Sequence, residues 1–376
     1  MAGIYLHIPF CKTRCIYCDF YSTTRSDLKS RYIQALCREL EMRKEYLKGE
    51  PIRTVYFGGG TPSQLEEQDF LAVFDTLNTV YGLEQAEEIT LEANPDDITP
   101  AYCNLLSRLP FNRVSMGIQT FNESTLRLLN RRHTAQQAKE AVRLLREADF
   151  HNLSIDLIYG LPGETDEQWL SDLQQAVVLG VEHISAYHLT YEEGTRLHQL
   201  LQAEEIHEVD EESSRRFFTQ LTDTLQQAGY EQYEISNFCR PGFHSRHNTS
   251  YWQGTPYLGC GPSAHSFNGA EREWNVASLT RYLHALEQNK RLFECEQLTP
   301  DTRYNEYIMT ALRTRRGLSL SHLRHTFGSE KEAYCLKTAA PYLRNRLLET
   351  DGEQLCLTRE GIFISDAIIC DLMWVE

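Results

Sequence analysis

Through residues 1–235, short apolar runs rich in β-branched residues alternate with longer stretches of helical hydrophobic period. The short runs Ile4–Ile8, Thr54–Phe57, Glu88–Glu92, Arg113–Ile118, Leu153–Ile158 and His183–Leu189 predict strands. The periodic stretches predict helices over 27–47, 64–80, 100–108, 123–130, 135–148, 166–179 and 210–228. This alternation reads as βαβ units around a parallel sheet. Six units suit either an open doubly wound sheet or an incomplete (β/α) barrel, and periodicity does not choose between them. In both, function gathers where the βα loops leave the C-terminal ends of the strands.

From 233 to 275 Gly, Asn, Ser and aromatic residues dominate and no helical period holds. That texture predicts an irregular connecting segment over 236–290. Beyond it, helices are expected over 318–323 and 332–348 and short strands over 355–357 and 361–363. Residues 291–376 thus read as a smaller, mainly helical domain of winged-helix character. Its Arg313, Arg315 and Arg316 are read as a helix end whose charge complements the dipole.

Composition narrows the function. The chain has 376 residues, 41% hydrophobic and 24% charged, which is ordinary globular composition. Its net charge of −16 argues against nucleic acid as a partner, because phosphate contacts need a basic surface. It argues equally against general electrostatic docking on an anionic membrane. No apolar run reaches transmembrane length, and the start lacks the basic region of a signal peptide. A cytoplasmic protein is expected. Eleven cysteines, an odd number, point to a metal site or core thiols rather than a disulfide framework.

Three of those cysteines, Cys11, Cys15 and Cys18, stand at C-x₃-C-x₂-C spacing directly after the first predicted strand. Soft thiolates favour an iron–sulfur cluster, zinc or Cu(I). A zinc site needs a fourth ligand, for which His7 or a distant cysteine is a candidate. A [4Fe–4S] cluster held by three cysteines keeps one iron open.

With Tyr17 before the last cysteine, the triplet resembles the signature of the radical S-adenosylmethionine (SAM) superfamily. The resemblance implies an incomplete (β/α)6 barrel, a [4Fe–4S] cluster on Cys11, Cys15 and Cys18, and SAM chelated at the open iron. In that superfamily one electron from the cluster cleaves the SAM carbon–sulfur bond to give a 5′-deoxyadenosyl radical. The run Gly58-Gly59-Gly60-Thr61-Pro62 resembles the superfamily's glycine motif, where bare backbone approaches the methionine part of SAM. Resemblance extends to the porphyrin branch of the superfamily, almost without a gap from Tyr5 to Pro162. There Tyr5, Tyr17, Gly59, Gly60, Thr61, Glu92, Gln119, Arg131 and Asp156 stand at SAM-contact positions. Glu92 and Asp156 suit ribose hydroxyls or the amino group, and Arg131 suits the carboxylate.

That branch contains oxygen-independent coproporphyrinogen III oxidases, which decarboxylate propionate side chains, and a haem-chaperone family. Oxidases carry a further cysteine two residues after the last cluster cysteine, where this chain has Phe20. They also carry a long N-terminal arm, whereas four residues precede Tyr5. The segment His247-Asn248-Thr249-Ser250-Tyr251-Trp252 fits the chaperone pattern His-Asn-x-x-Tyr-Trp, which is linked to haem binding. His247 is then the expected axial ligand, with Tyr251 and Trp252 against the macrocycle. Cys260 and His265 are reserve ligands. The resemblance implies haem as cargo, delivery to acceptor haemoproteins (respiratory ones at the membrane), transient membrane association and a homodimer. No residue is assigned a catalytic role. The rivals are a coproporphyrinogen oxidase of the same fold and a structural zinc protein.

Overall fold

The computed structural model describes residues 1–375. Six parallel strands, β1 (Ala2–Ile8), β2 (Ile52–Gly59), β3 (Glu88–Ala93), β4 (Arg113–Gln119), β5 (Leu153–Tyr159) and β6 (His183–His188), lie side by side in chain order. Sequential order with helices returning on one face is a barrel wall, not a doubly wound sheet. The wall does not close. Beside β6 run the antiparallel β7 (Glu231–Glu234) and β8 (Asn237–Cys239). Beside β1 run β9 (Tyr257–Cys260), parallel to it, and the antiparallel β10 (His265–Phe267), β11 (Glu271–Asn275) and β12 (Phe293–Gln297).

Alternation along each strand sets the two faces. On β1, Ile4, Leu6 and Ile8 are fully buried against helices, while Tyr5 and His7 face the barrel interior. The helices start where capping chemistry allows. Thr134 and Thr165 each form a capping box with a Gln at the third helical position, opening Ala135–Glu147 and Asp166–Leu179.

The expected irregular segment 236–290 is not irregular. It supplies β8 to β11 and the helices Arg246–Trp252 and Leu279–Glu287. Its strands span three to five residues, too short for a period to show. A separate core gathers Tyr304, Ile308, Leu312, Leu323, Cys335, Leu348, Leu355 and Leu372. Around it stand the helices Pro300–Leu312, Leu320–Phe327 and Ser329–Arg344, with β13 (Leu318–Ser319), β14 (Leu348–Thr350) and β15 (Gln354–Leu357) in a three-stranded sheet. The strand expected over 361–363 is instead a helical turn, Arg359–Ile362. Thr358 caps it by accepting from the Gly361 N–H at 3.1 Å. Arg313 pairs with Glu234 of β7 at 2.9 Å and ties this unit to the barrel.

Candidate functional site

After β1 the chain enters the cysteine loop. The Cys11 N–H donates to the Thr23 carbonyl (2.9 Å) and the Thr23 N–H to that of Pro9 (2.7 Å), which pins the loop's base. The Ile16 N–H donates to Leu129 O (3.3 Å) and Leu197 N–H to Ile16 O (2.8 Å), which ties its middle to two neighbouring loops. Ile16 and Tyr17 pack on an apolar cluster of Leu129, Ile158, Leu161, Leu189 and Leu197. The three cysteines therefore sit at the C-terminal end of the parallel strands.

Two donors point at their sulfurs. The Thr61 hydroxyl donates to Cys11 Sγ at 3.4 Å, and Arg131 donates to Cys15 Sγ at 3.3 Å. Burial pushes the Cys11 thiol up, with Thr61 opposing, and pushes Cys18 up to about 11. A metal-bound thiolate needs a cationic centre to offset that cost. His7 does not offer a fourth ligand. Its Nε2 bonds Tyr21 O at 2.8 Å, its Nδ1 bonds the Tyr5 hydroxyl at 3.2 Å, and burial lowers it to about 4. The three Sγ atoms do not all lie within 4.8 Å of one another. Three clustered thiolates with Thr61 and Arg131 as donors fit an iron–sulfur cluster that keeps one iron open.

The glycine run lies beside this loop. Gly59 has φ 103°, and a Cβ there would come 2.6 Å from the His7 ring. A Cβ on Gly60 would come 2.7 Å from Ile8 O. Only glycine tolerates that approach. The Gly59 N–H donates to Glu92 Oε2 (3.2 Å) and the Tyr56 hydroxyl to Oε1 (2.8 Å). Burial raises Glu92 to about 7, with Tyr56 opposing, and raises Asp156 to about 6, with the Ser185 hydroxyl opposing. Arg131 also donates to Asn94 Oδ1 (2.8 Å) and to Gly117 O, while Asn94 Nδ2 donates to Thr61 Oγ1 (3.4 Å). A continuous chain Cys15–Arg131–Asn94–Thr61–Cys11 results. Gln119 ends β4 at φ 71°, packed on Gly117, which pairs with Asp156 across β4 and β5. Tyr5 stacks on Tyr56 at 6.1 Å, and the buried Tyr17 hydroxyl neighbours Arg131, Cys15 and Cys18.

The structure thus gathers the expected cluster and SAM residues at one barrel mouth. It adds Asn94 and Tyr56, which pattern reading did not single out. Asn94 lies two residues past Glu92, and Tyr56 occupies an inward position of β2, so both had a local signal.

The His-Asn-x-x-Tyr-Trp segment lies at the other end of the barrel, where the His247 ring stacks on Tyr56 at 5.0 Å and on Tyr5 at 6.4 Å. The helix Arg246–Trp252 closes the opposite, N-terminal end of the strands. The N–H groups of Arg246 and His247 donate to Glu88 at the start of β3, both at 2.9 Å. His247 is 1% exposed. Its Nδ1 bonds Thr54 Oγ1 and its Nε2 bonds the Tyr251 hydroxyl, both at 2.8 Å. Burial lowers it to about 3, with Arg113 adding to the effect. Both ring nitrogens are occupied, so no lone pair is open to iron in this conformation. Trp252 carries Arg313 over its ring at 5.3 Å. Of the reserve ligands, Cys260 is buried against the helices, and His265 is exposed.

Residues 5–176 match the family model for the radical SAM superfamily, and residues 298–364 match the HemN C-terminal domain. The chain is 35% identical to the haem chaperone HemW of Mycobacterium tuberculosis, over 99% of this chain and 94% of that one. It is 30% identical to HemW of Bacillus subtilis, over 98% of each. Its fold matches the solved structure of the Escherichia coli coproporphyrinogen III oxidase HemN, a radical SAM enzyme, with a TM-score of 0.85 and 25% identity over 99% of this chain and 90% of that one. Among the described residues, no helix is long and apolar enough to cross a membrane.

Proposed function

The chain belongs to the HemW family of radical SAM proteins, and on that premise we propose that it binds haem and hands it to apo-haemoproteins, respiratory ones included, from the cytoplasm. The observation that carries this reading is the similarity to curated haem chaperones along nearly their whole length. Cys11, Cys15 and Cys18 hold a [4Fe–4S] cluster. When bound, the cluster supplies an open iron for the amino and carboxylate groups of SAM. Arg131 and Thr61 offset thiolate charge at Cys15 and Cys11. Gly59 and Gly60 present bare backbone to the methionine part, and Glu92 and Asp156 accept from ribose hydroxyls or the amino group. Tyr5, Tyr17 and Gln119 line the same pocket. The cluster and SAM gate haem transfer or dimerisation, with transient membrane contact at delivery. His247, Tyr251 and Trp252 reach haem directly only where the helix Arg246–Trp252 leaves the barrel base.

Haem titrated into anaerobically reconstituted protein, followed by the Soret band, tests the reading. Saturable binding and transfer to an apo-haemoprotein are the expected results; no saturable binding refutes it. The full-length match to a coproporphyrinogen oxidase favours one second reading. It predicts carbon dioxide release from coproporphyrinogen III with SAM and a reductant, which the chaperone reading does not.

A further inference from the structure

Beyond β1, the barrel's inner face continues onto β9, β10 and β11. Ser266 and Glu273 face the helices, where both take Arg43 at 2.9 Å. Their neighbours in the ladder, His265 opposite Trp274 and Phe267 opposite Arg272, therefore project inward. On β9, Tyr257 also faces inward and lies 6.4 Å from Phe267. Gly259 pairs with Tyr5, and its missing side chain lets the His265 main chain close over it. A Cβ on Gly259 would overlap the His265 carbonyl at 1.9 Å.

His265 is exposed and stacks on Trp274 at 5.8 Å and 21°. Burial of part of the ring and then Arg272 lower its proton affinity, with no hydrogen bond contributing. Both effects favour the neutral imidazole, whose nitrogens bond no partner among the described residues. Arg272 stands 5.9 Å over the Phe267 ring and donates to Glu306 of the neighbouring helix at 2.6 Å. Together these groups offer an iron ligand, aromatic side chains to pack beside a macrocycle and a guanidinium for a carboxylate. That is the chemistry of haem with its propionates.

We propose that the iron of the haem cargo binds the imidazole of His265, on an aromatic strip formed by Tyr257, Phe267 and Trp274, with Arg272 near a propionate. The proposal rests on the haem-chaperone reading. Coordination forms one Fe–N bond from a neutral imidazole, with no proton released and no change in iron oxidation state. It also gives the His-Asn-x-x-Tyr-Trp segment a supporting role. Tyr251 packs edge-on against Tyr257 at 4.6 Å, and His247 holds the Tyr251 hydroxyl, so the segment props the strip from below.

The test titrates haem into the anaerobically reconstituted full chain, into His265→Ala, His265→Gln and Trp274→Leu, and into His325→Ala as an exposed-histidine control. The cluster absorption of each variant reports an intact barrel. Outer-shell changes at metal sites cost roughly 10–100-fold in affinity. Trp274→Leu is expected in that range, and both His265 variants at or beyond its upper end, with a shifted Soret band. Added imidazole is expected to restore the parental spectrum in His265→Ala, while His325→Ala binds as the parent does. Unchanged affinity and spectrum in both His265 variants overturns the assignment and leaves the chaperone reading standing. No saturable binding by the parent chain refutes the chaperone reading, and the assignment with it.

Discussion

His247→Leu is expected to cost stability at neutral pH yet make the protein less sensitive to acid. In the folded chain His247 bonds the Thr54 and Tyr251 hydroxyls, and neither hydroxyl has another partner. Leucine strands both in a buried site, at about 1–3 kcal/mol each, so about 2–6 kcal/mol is lost at pH 7. The acid effect runs the other way. His247 is lowered from 6.5 to about 3 on folding. Below pH 6.5 the unfolded chain takes up a proton that the folded one refuses, so stability falls with pH until about 3. Between pH 7 and 5 this one residue removes about 2 kcal/mol, and about 5 kcal/mol across the whole window. His7 and His133, lowered to about 4 and about 3 by burial, act with the same sign in parent and variant, so the difference isolates His247. Urea unfolding followed by far-UV circular dichroism at pH 7, 6 and 5 measures it. The variant should lose about 2 kcal/mol less than the parent between pH 7 and 5. Equal losses, or a variant as stable as the parent at pH 7, refute the buried, neutral, doubly bonded histidine.

Three further outcomes check the barrel mouth. Cys15→Ser should abolish the broad visible absorption and the iron content of the reconstituted protein, whereas Cys103→Ser, a buried thiol elsewhere, should leave both unchanged. Arg131→Leu removes the N–H donor to Cys15 Sγ; since hydrogen bonds to the sulfurs help set cluster potential, a redox titration followed by electron paramagnetic resonance should find the couple more negative. Gly59→Ala should lose SAM binding, read by equilibrium dialysis. It also forces a Cβ to 2.6 Å from the His7 ring at positive φ, a backbone cost alone of about 1–2 kcal/mol in the unfolding transition.

The six βα units, the cysteine triplet after β1 and the glycine run after β2 were legible in the sequence, because each is local. A strand of six to eight residues shows its period, and C-x₃-C-x₂-C or three consecutive glycines need no distant partner to be recognised. Short elements were not legible. Segment 236–290 looked irregular because its strands are too brief to carry a period, and Gly361 looked like strand because its cap, Thr358, lies outside the apolar run.

The surroundings of the histidines were decided by tertiary structure alone. His247 and His265 are both histidines in aromatic surroundings, and nothing local tells a hydrogen-bonded ring from a free one. Strand pairing separates them. Gly3 of β1 leaves room beside Thr54 of β2, the helix Arg246–Trp252 fills it, and His247 spends both nitrogens there. The β10–β11 hairpin adds to the open edge beside β9, Gly259 makes room for the His265 main chain, and the His265 ring bonds no partner among the described residues. Sequence pattern records which side of an element is apolar. Which polar groups meet inside an incomplete barrel depends on the register between strands far apart in the chain, and only the assembled sheet sets that register.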